Sequence, residues 1–418
     1  MDQTLSGEQS ETTVPLRIPS WKQRAAPEGR ISAAIPGPRT QDPRTQDPRT
    51  PTTATTGAGG DRTRKRSRLY VIDGLRLVAA LMVALHHYAG TARVDQPGNV
   101  IWGRSVSDIF PNVFQAATYG WLGVEFFFVI SGFVICMSSW GRRPRDFFVS
   151  RVIRLYPAYW FGVLFTTLVL TLLPAVFRPL KPTQVILNFS MLQAGLGAPH
   201  VDGVYWTLWS ELRFYLIFLI VVATGLTYRK VVVFCCVWGA AAAFAAKSGI
   251  PLLVTVVNPD SAWFFIAGLS LYLMHRFGQD LLLWCVLGLS LVMSQHDVLT
   301  RVTTEQVSTW TGSVVLYTAF LLVMVAIALG LTDRIQWKWL TVAGSLTYPF
   351  YLVHYAVGVT AIHYLHDRVD ARLLVVGLIA ASLLLSWFIH RLVERPLSRW
   401  LKKGLGGVFS RLSADPGR

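Results

Sequence analysis

The sequence predicts an all-α, polytopic membrane protein of about ten transmembrane helices, preceded by a disordered basic tail. Of the 418 residues, 52% are apolar and only 15% are charged, whereas about 25% of the residues in a soluble domain are charged. The mean hydropathy is positive, at +0.43. From residue 69 onward, apolar stretches long enough to cross a hydrocarbon core of about 30 Å recur along the chain.

Residues 1–68 differ in composition from the rest of the chain. They are rich in Pro, Thr, Arg and Gly and contain a Pro-Arg-Thr-Gln-Asp repeat that begins at Pro38. Such a segment buries too little apolar surface to offset its ordering entropy, so we expect a disordered cytosolic tail. It ends in a basic cluster expected to contact anionic lipid headgroups. The cluster comprises Arg62, Arg64, Lys65, Arg66 and Arg68.

Ten apolar stretches are predicted to be transmembrane helices within a domain that covers residues 69–403, and residues 404–418 are expected to form a short cytosolic tail. The predicted spans are Val71–Ala89, Trp121–Trp140, Tyr159–Ala175, Trp206–Thr224, Val231–Ala246, Ala262–His275, Leu281–Met293, Thr311–Leu331, Leu346–Leu365 and Leu373–Leu392. An even number of spans places both termini on one side. The connections on that side carry more than twice as many basic residues as the others, which predicts cytosolic termini in the cell membrane.

Composition also argues against two other classes of protein. The net charge of +16 comes without a recognised nucleic-acid motif, and arginines collect at the cytosolic ends of membrane spans. The four cysteines lie in apolar runs without Cys/His spacing, so we expect neither a metal site nor a disulfide framework.

Few ionisable side chains lie within the predicted spans, and each is a functional candidate because a charge in a bilayer is costly. They include Arg76, His86, His87, Glu125, Glu211, Arg213, His354, His363 and His390. Arg76 and His87 are eleven residues apart, which is about 20° beyond three full helical turns, so they share a helix face. Their axial separation is about 16 Å. This arrangement suits an anionic donor that enters from the cytosol and presents a reactive group to a deeper base.

Five sequence motifs occur in order along residues 69–403. The first two are Asp73-Gly74-Leu75-Arg76 with His87, and residues 123–133, which read GVEFFFVISGF. The third is Arg151 and Arg154 before Leu155-Tyr156-Pro157. The fourth, residues 206–211, reads WTLWSE and precedes Phe214-Tyr215. The last comprises residues 345–354, SLTYPFYLVH, with Glu394-Arg395-Pro396-Leu397 following.

Together these five motifs resemble the membrane acyltransferase-3 family over residues 69–403. The resemblance implies an enzyme that takes an acyl group, commonly acetyl, from cytosolic acyl-CoA as co-substrate, without a bound cofactor. The implied acceptor is a hydroxyl of a carbohydrate, a lipid-linked glycan or a secondary metabolite. Carried over by position, Arg76 and His87 form the Arg-x10-His pair, Glu125 is the essential acid of the second span, and Glu211 is the acid of the fourth. Many relatives have Asp where this chain has Glu125, and His86 is an additional departure.

Acyl transfer to an alcohol requires a base, and imidazole, with an ordinary pKa near 6.5, serves at neutral pH. We therefore predict that His87 is the base. Glu125 or Glu211 is predicted to accept the second ring N–H of His87. Direct transfer is favoured over an acyl-His intermediate.

The remaining candidates are predicted to bind substrate. Arg151 and Arg154 belong to a five-arginine group that begins at Arg142, and guanidinium groups bind phosphates such as those of CoA bidentately. Trp206, Trp209, Ser210 and Arg213 have helical spacing and form one face, which suits either a membrane-interface belt or stacking on a sugar. His354 is predicted to form a second polar wall of the cavity that contains His87. A transporter or a membrane scaffold remains an alternative to the enzyme.

Overall fold

The structure, a computed structural model, describes residues 69–91, 101–305 and 308–413. Within these ranges the chain forms helices and connecting turns, and no β-strand. The tail predicted over residues 1–68, with its basic cluster, lies outside the described residues.

The described ranges contain sixteen α-helices, which we number in chain order. They are α1 Tyr70–Ala89, α2 Val106–Ile109, α3 Phe114–Ala117, α4 Leu122–Ser139, α5 Pro144–Leu172, α6 Pro182–Asn188, α7 Trp206–Ala223, α8 Tyr228–Ser248, α9 Pro251–Val257, α10 Pro259–Phe277, α11 Leu281–Glu305, α12 Trp310–Ala328, α13 Trp339–Val353, α14 Tyr355–Leu365, α15 Ala371–Phe388 and α16 Arg395–Ser413. Turns of 3₁₀-helix at Thr118–Trp121 and Gly203–Tyr205 precede α4 and α7, and a π-helical turn at Ile389–Glu394 joins α15 to α16.

Nine helical segments in the described ranges are long and apolar enough to cross a membrane. They correspond to nine of the ten predicted spans, and the protein is therefore a multi-pass, all-α membrane protein. Helix α16 crosses the predicted domain boundary at residue 403 and continues to Ser413.

The remaining predicted span, Leu346–Leu365, is divided between α13 and α14, which meet at His354. Pro349 lies inside α13 and has no N–H to donate to the preceding turn. Two carbonyl groups near the junction accept hydrogen bonds from phenols of other elements: Tyr205 donates to Leu352 O at 3.1 Å, and Tyr88 to His354 O at 2.5 Å. The interruption is local, because His354 keeps right-handed helical dihedral angles, φ −73° and ψ −38°.

Two helices extend beyond the apolar stretches that predicted them. Helix α5 begins at Pro144, fifteen residues before the predicted start at Tyr159, and Pro157 lies inside it. Helix α11 continues twelve residues past Met293, to Glu305. In both cases a hydropathy criterion places the boundary of the span where charged residues occur, although these residues belong to the same helix.

Glycines allow close helix contacts around α4. A Cβ atom at Gly123 would clash with Ala79 of α1, and one at Gly132 would clash with Phe265 of α10. Because Gly120 contacts Met82 while Gly123 contacts Ala79, α1 and α4 are antiparallel. Small residues at such contacts let helix backbones approach closely in a membrane.

Helix α1 is parallel to the α13–α14 pair. Gly344 of α13 lies against Asp73, near the start of α1, and Gly358 of α14 lies against Tyr88, near its end. These contacts place the start of α1 beside α13 and the end of α1 beside the junction at His354.

Candidate functional site

The candidate site residues form three groups along α1, α4 and α13. Arg76 lines a polar cavity toward the first half of α1. His86 and His87 lie near the C-terminal end of α1, beside His354. Glu125, at the start of α4, belongs to a third group with Arg301.

The polar cavity is formed by α1, α4, α7 and α13. The space inside it, including its open mouth, is about 470 Å³. Its lining comprises Arg76, Val124, Phe127, Phe128, Ser131, Thr207, Leu208, Glu211, Thr347, Tyr348 and Tyr351. The structure thus brings together Arg76 and Glu211, which the sequence assigned to donor binding and to catalysis.

Ser131 fixes the position of the Glu211 carboxylate. Its hydroxyl donates a hydrogen bond of 2.7 Å to Glu211 Oε1. This contact joins two helices that are 80 residues apart in the chain, so it could not be predicted from the sequence.

His87 is surrounded by aromatic rings rather than by the two predicted acids. Its ring centroid is 5.5 Å from that of His86, 5.5 Å from that of His354 and 4.2 Å from that of Tyr355. The predicted hydrogen bond between His87 and a carboxylate stays a prediction, since the recorded partners of Glu125 and Glu211 are Arg301 and Ser131.

The additional histidine, His86, is anchored to the backbone of a neighbouring element. Its Nδ1 lies 3.2 Å from Ala117 O, at the end of α3, so the Nδ1–H donates to this carbonyl. Only 4% of the residue is exposed, and its Cβ packs against Gly120. These contacts indicate that His86 positions the loop between α3 and α4.

Glu125 forms an ion pair that the sequence did not predict. Arg301 Nε lies 3.7 Å from Glu125 Oε1, and the side chains are 31% and 5% exposed, respectively. The guanidinium of Arg301 lies over the rings of Trp121, at 5.5 Å, and Trp206, at 5.0 Å. Sequence reasoning placed Arg301 in an outer loop because it ended the seventh span at Met293.

One sequence signal could have identified the continuation of α11. Val298 and Val302 are four residues apart and both are buried in the structure. Their spacing is the period of an amphipathic helix, and it places Asp297 and Arg301 one position before each valine.

The two tryptophans of the predicted α7 face, Trp206 and Trp209, each have a guanidinium group over the indole ring. Arg213 lies 5.4 Å from the Trp209 ring and donates to Ser210 Oγ at 3.1 Å. Arg301 lies over Trp206 in the same way. A sugar ring that stacked on either indole would have to use the opposite face or displace the cation.

Arg151 and Arg154 lie on the first half of α5. Arg151 donates to Ser138 Oγ of α4 at 3.3 Å. Arg154 pairs with Glu394 at 3.3 Å, and Glu394 also lies 2.8 Å from His390 Nδ1, as the four-residue spacing of this pair predicts. Arg154 is also close enough to Arg76 for the two positive charges to interact.

Asp202, which the sequence analysis did not single out, ties the α7 end of the site to the helix junction. Its Oδ1 accepts a hydrogen bond from Val204 N, and its Oδ2 accepts one from Ala356 N in α14, each at 3.1 Å. The residue is fully buried, and burial raises the pKa of its carboxyl group to about 7. An aspartate between His200-Val201 and Gly203 has the position of a helix N-cap. This was the sequence signal that could have identified Asp202.

Within the part of the chain that the structure describes, no three His, Cys, Asp or Glu side chains converge as metal ligands. The Nδ1 atoms of His86 and His354 both face backbone carbonyls, so these rings are oriented by the protein itself.

A family model described as an acyltransferase domain matches residues 69–391, more than half of the chain. The matched range begins just before α1 and ends in the π-helical turn, so it contains the cavity, the histidines and the Glu125–Arg301 pair. No curated protein and no solved structure matches the chain significantly.

Proposed function

The chain belongs to the acyltransferase-3 family, and on this premise we propose that it is an acyl-CoA-dependent O-acyltransferase. It moves an acyl group, acetyl in the simplest case, from cytosolic acyl-CoA to a hydroxyl of a cell-surface glycan, a lipid-linked sugar or a secondary metabolite. The observation that carries the proposal is helix α1, which presents Arg76 to a polar cavity and His87 to a second polar group about three turns away.

The arginines near the cavity suit the acyl-CoA donor. Arg76 and Arg154 carry like charges that interact with each other. A phosphate between them would relieve their repulsion and accept charge-assisted hydrogen bonds from both. Arg151, held by Ser138, offers a third guanidinium at the same end of the bundle. The pantetheine arm would then lie along the cavity that Arg76, Ser131 and Glu211 line.

His87 acts as the general base in the transfer step. It removes the proton of the acceptor hydroxyl while the oxygen attacks the thioester carbonyl. The C–O bond forms, the C–S bond breaks, and the proton passes to the departing thiolate, so the products are an ester and free CoA. Glu125 and Glu211 are the acidic residues of the site, and their charges would stabilise the imidazolium through space rather than through a direct hydrogen bond.

One observation favours a second function, the transport of a small solute or glycan precursor. The α13–α14 span is interrupted at a buried histidine, and discontinuous helices form the binding sites of many transporters. A transporter would not consume acyl-CoA, so turnover separates the two functions.

The test is the release of free CoA thiol from acetyl-CoA by detergent-purified protein, supplied with sugars, cell-wall extracts or natural-product alcohols. We expect release by the wild type, with losses of about 10²–10⁴-fold in His87→Ala because general-base catalysis contributes about that much. Arg76→Ala should raise KM for acetyl-CoA, and His86→Ala should retain kcat if it remains folded. Activity in His87→Ala equal to the wild type would remove the proposed base, and no thiol release by the wild type would favour transport.

A further inference from the structure

His354 has one ring nitrogen engaged and the other without a partner. Its Nδ1 lies 2.9 Å from Tyr351 O. A carbonyl oxygen can only accept, so Nδ1 carries the hydrogen and Nε2 of the neutral ring carries a lone pair. Nε2 is buried and has no hydrogen-bond partner among the described residues. The residue as a whole is 0% exposed.

The surrounding contacts hold this ring in place. Tyr88 donates to His354 O, and Asp202 accepts from Ala356 N, two residues further on. Phe350 stacks on the imidazole with an interplanar angle of 6°. Because the large majority of buried polar side-chain atoms are hydrogen bonded in native proteins, we expect this lone pair to have a partner in the working protein.

The available partner is His87. The two ring centroids are 5.5 Å apart, and the rings are inclined by 33°. Two imidazoles joined by a linear N–H···N hydrogen bond have centroids about 5.2 Å apart, since the nitrogens lie about 3 Å from each other. The separation of the two rings is therefore close to that of a hydrogen bond between His87 and His354 Nε2.

We propose that His354 is the positioning residue of His87, with His354 Nε2 accepting the second N–H of the His87 ring. This bond leaves the other nitrogen of His87 as the proton acceptor and stabilises the imidazolium that forms during transfer. His354 thus performs the role usually given to a carboxylate. The inference rests on the proposed acyl transfer, in which His87 is the base.

Matched substitutions separate this role from packing. His354→Phe removes both nitrogens but keeps a ring of similar volume, whereas His354→Gln offers an amide oxygen that can accept the N–H. His86→Phe is the control, because His86 lies at the same centroid distance from His87 and donates to Ala117 O.

We expect His354→Phe to lower kcat for thiol release by about 10²–10³-fold with KM for acetyl-CoA nearly unchanged, since loss of an orienting partner affects the transition state. His354→Gln should recover at least a tenth of the wild-type kcat. His86→Phe should lower the unfolding temperature without a comparable loss of kcat. Equal losses in His354→Phe and His86→Phe, or no recovery in His354→Gln, would overturn the proposal.

A substrate-free measurement keeps this inference distinguishable from the proposed function. In protein labelled with ¹⁵N-histidine, NMR should show His354 as the Nδ1–H tautomer and a hydrogen-bonded His87 N–H that disappears in His354→Phe. This result can be obtained even if the wild type releases no thiol, in which case the acyl transfer fails and not the histidine contact. An unchanged His87 N–H signal in His354→Phe would contradict the contact itself.

Discussion

The pair formed by Glu125 and Arg301 is unequal in exposure, and this inequality predicts the effects of substitution. The Glu125 side chain is 5% exposed and that of Arg301 is 31% exposed. Arg301→Gln leaves a carboxylate buried without its cation, which should lower the free energy of unfolding by about 1–3 kcal/mol. Glu125→Gln leaves a cation that water can reach, so it should lower the free energy of unfolding by less than Arg301→Gln does. Thermal unfolding in detergent measures both.

The double variant Glu125→Gln/Arg301→Gln is the control for this pair. Removing both charges eliminates the unpaired carboxylate, so the double variant should be more stable than Arg301→Gln alone. If the changes in the free energy of unfolding of the two single variants sum to that of the double variant, the residues do not interact and the ion pair has no energetic role.

The hydroxyl of Ser131 should matter for the cavity, and its neighbour Ser139 provides a matched comparison. Ser131 donates to Glu211 Oε1, whereas Ser139, two turns further along α4, donates to Ile135 O within its own helix. Ser131→Ala removes a hydrogen bond to a carboxylate and should cost about 1–3 kcal/mol and lower kcat. Ser139→Ala should leave kcat unchanged. Comparable kcat values in all three proteins would exclude a role for the Ser131–Glu211 bond.

Residue positions that follow from spacing within one helix were predictable, whereas contacts between distant helices were not. The eleven-residue interval predicted a common helix for Arg76 and His87, and α1 contains both. The i, i+4 interval predicted the contact between His390 and Glu394. By contrast, the Glu125–Arg301 pair joins residues 176 positions apart, and the order of helix packing that creates it is absent from local periodicity.

The part of α5 that contains Pro157 receives a hydrogen bond from α16. Pro157 has no N–H, so the carbonyl of Ile153, four residues earlier, loses its helical donor. Ser398 of α16 supplies the missing hydrogen bond at 3.1 Å. Ser398→Ala should therefore cost about 1 kcal/mol and loosen α16. Hydrogen–deuterium exchange of residues 395–403 measures the loosening.

A double-mutant cycle tests the origin of this effect. Pro157→Ala restores an N–H at position 157, which can satisfy Ile153 O within the helix. In that background Ser398→Ala should change the exchange of α16 less than it does in the wild type. An equal change in both backgrounds would show that Ser398 acts through some other contact.

The hydrogen bonds of Asp202 to Val204, before α7, and to Ala356, in α14, should make the stability of the protein depend on pH. Burial raises the pKa of this carboxyl group from 3.8 to about 7. The folded protein then binds the proton more tightly than the unfolded chain, so this contribution to stability is complete below about pH 4 and is lost as the pH rises through about 7. The unfolding temperature should therefore fall between roughly pH 4 and pH 7 and level off at higher pH.

Two substitutions isolate the contribution of Asp202. The asparagine in Asp202→Asn does not titrate, so the slope of the unfolding temperature against pH should become flatter. Its amide can replace only one of the two backbone hydrogen bonds, which should lower stability at every pH. Asp280→Asn is the control, because the hydrogen bond from Tyr228 lowers the pKa of Asp280 and removes it from this pH range. A slope that persists in Asp202→Asn would assign the titration to another group.

At the scale of the elements, the sequence predicted which segments are helical and less well where they begin and end. Hydropathy identified each apolar segment because the bilayer selects for it. It truncated α5 and α11, since arginine and aspartate side chains continue a helix once tertiary contacts satisfy them. It also missed the interruption at His354, which depends on Tyr88 and Tyr205 from other elements.

Across the whole molecule, the helix directions separate two kinds of chemistry. Helix α4 is antiparallel to α1 and α13 is parallel to it, as their contacts require. The arginine group of α5 therefore lies toward the end of the bundle where α1 begins, and the histidines lie toward the end where α1 finishes. A donor that binds through phosphates and an acceptor that needs a base would accordingly approach from opposite ends.

This separation has a function only if the arginine end faces the cytosol, where acyl-CoA is found. The excess of basic residues at that end predicts this orientation. Arg143 and Arg104 are both exposed, and they lie next to the ends of α4 and α1 that point in opposite directions. Single cysteines at these positions, in a background from which the four natural cysteines have been replaced, report the two sides.

We expect Arg104→Cys to react with a membrane-impermeant thiol reagent in intact cells. Arg143→Cys should react only after the membrane has been permeabilised. Retained thiol-release activity in both variants would confirm that the labelled protein is correctly folded. The reverse labelling pattern would place the arginine group and the polar cavity outside the cell, where acyl-CoA cannot be the donor, and would refute the proposed direction of acyl transfer.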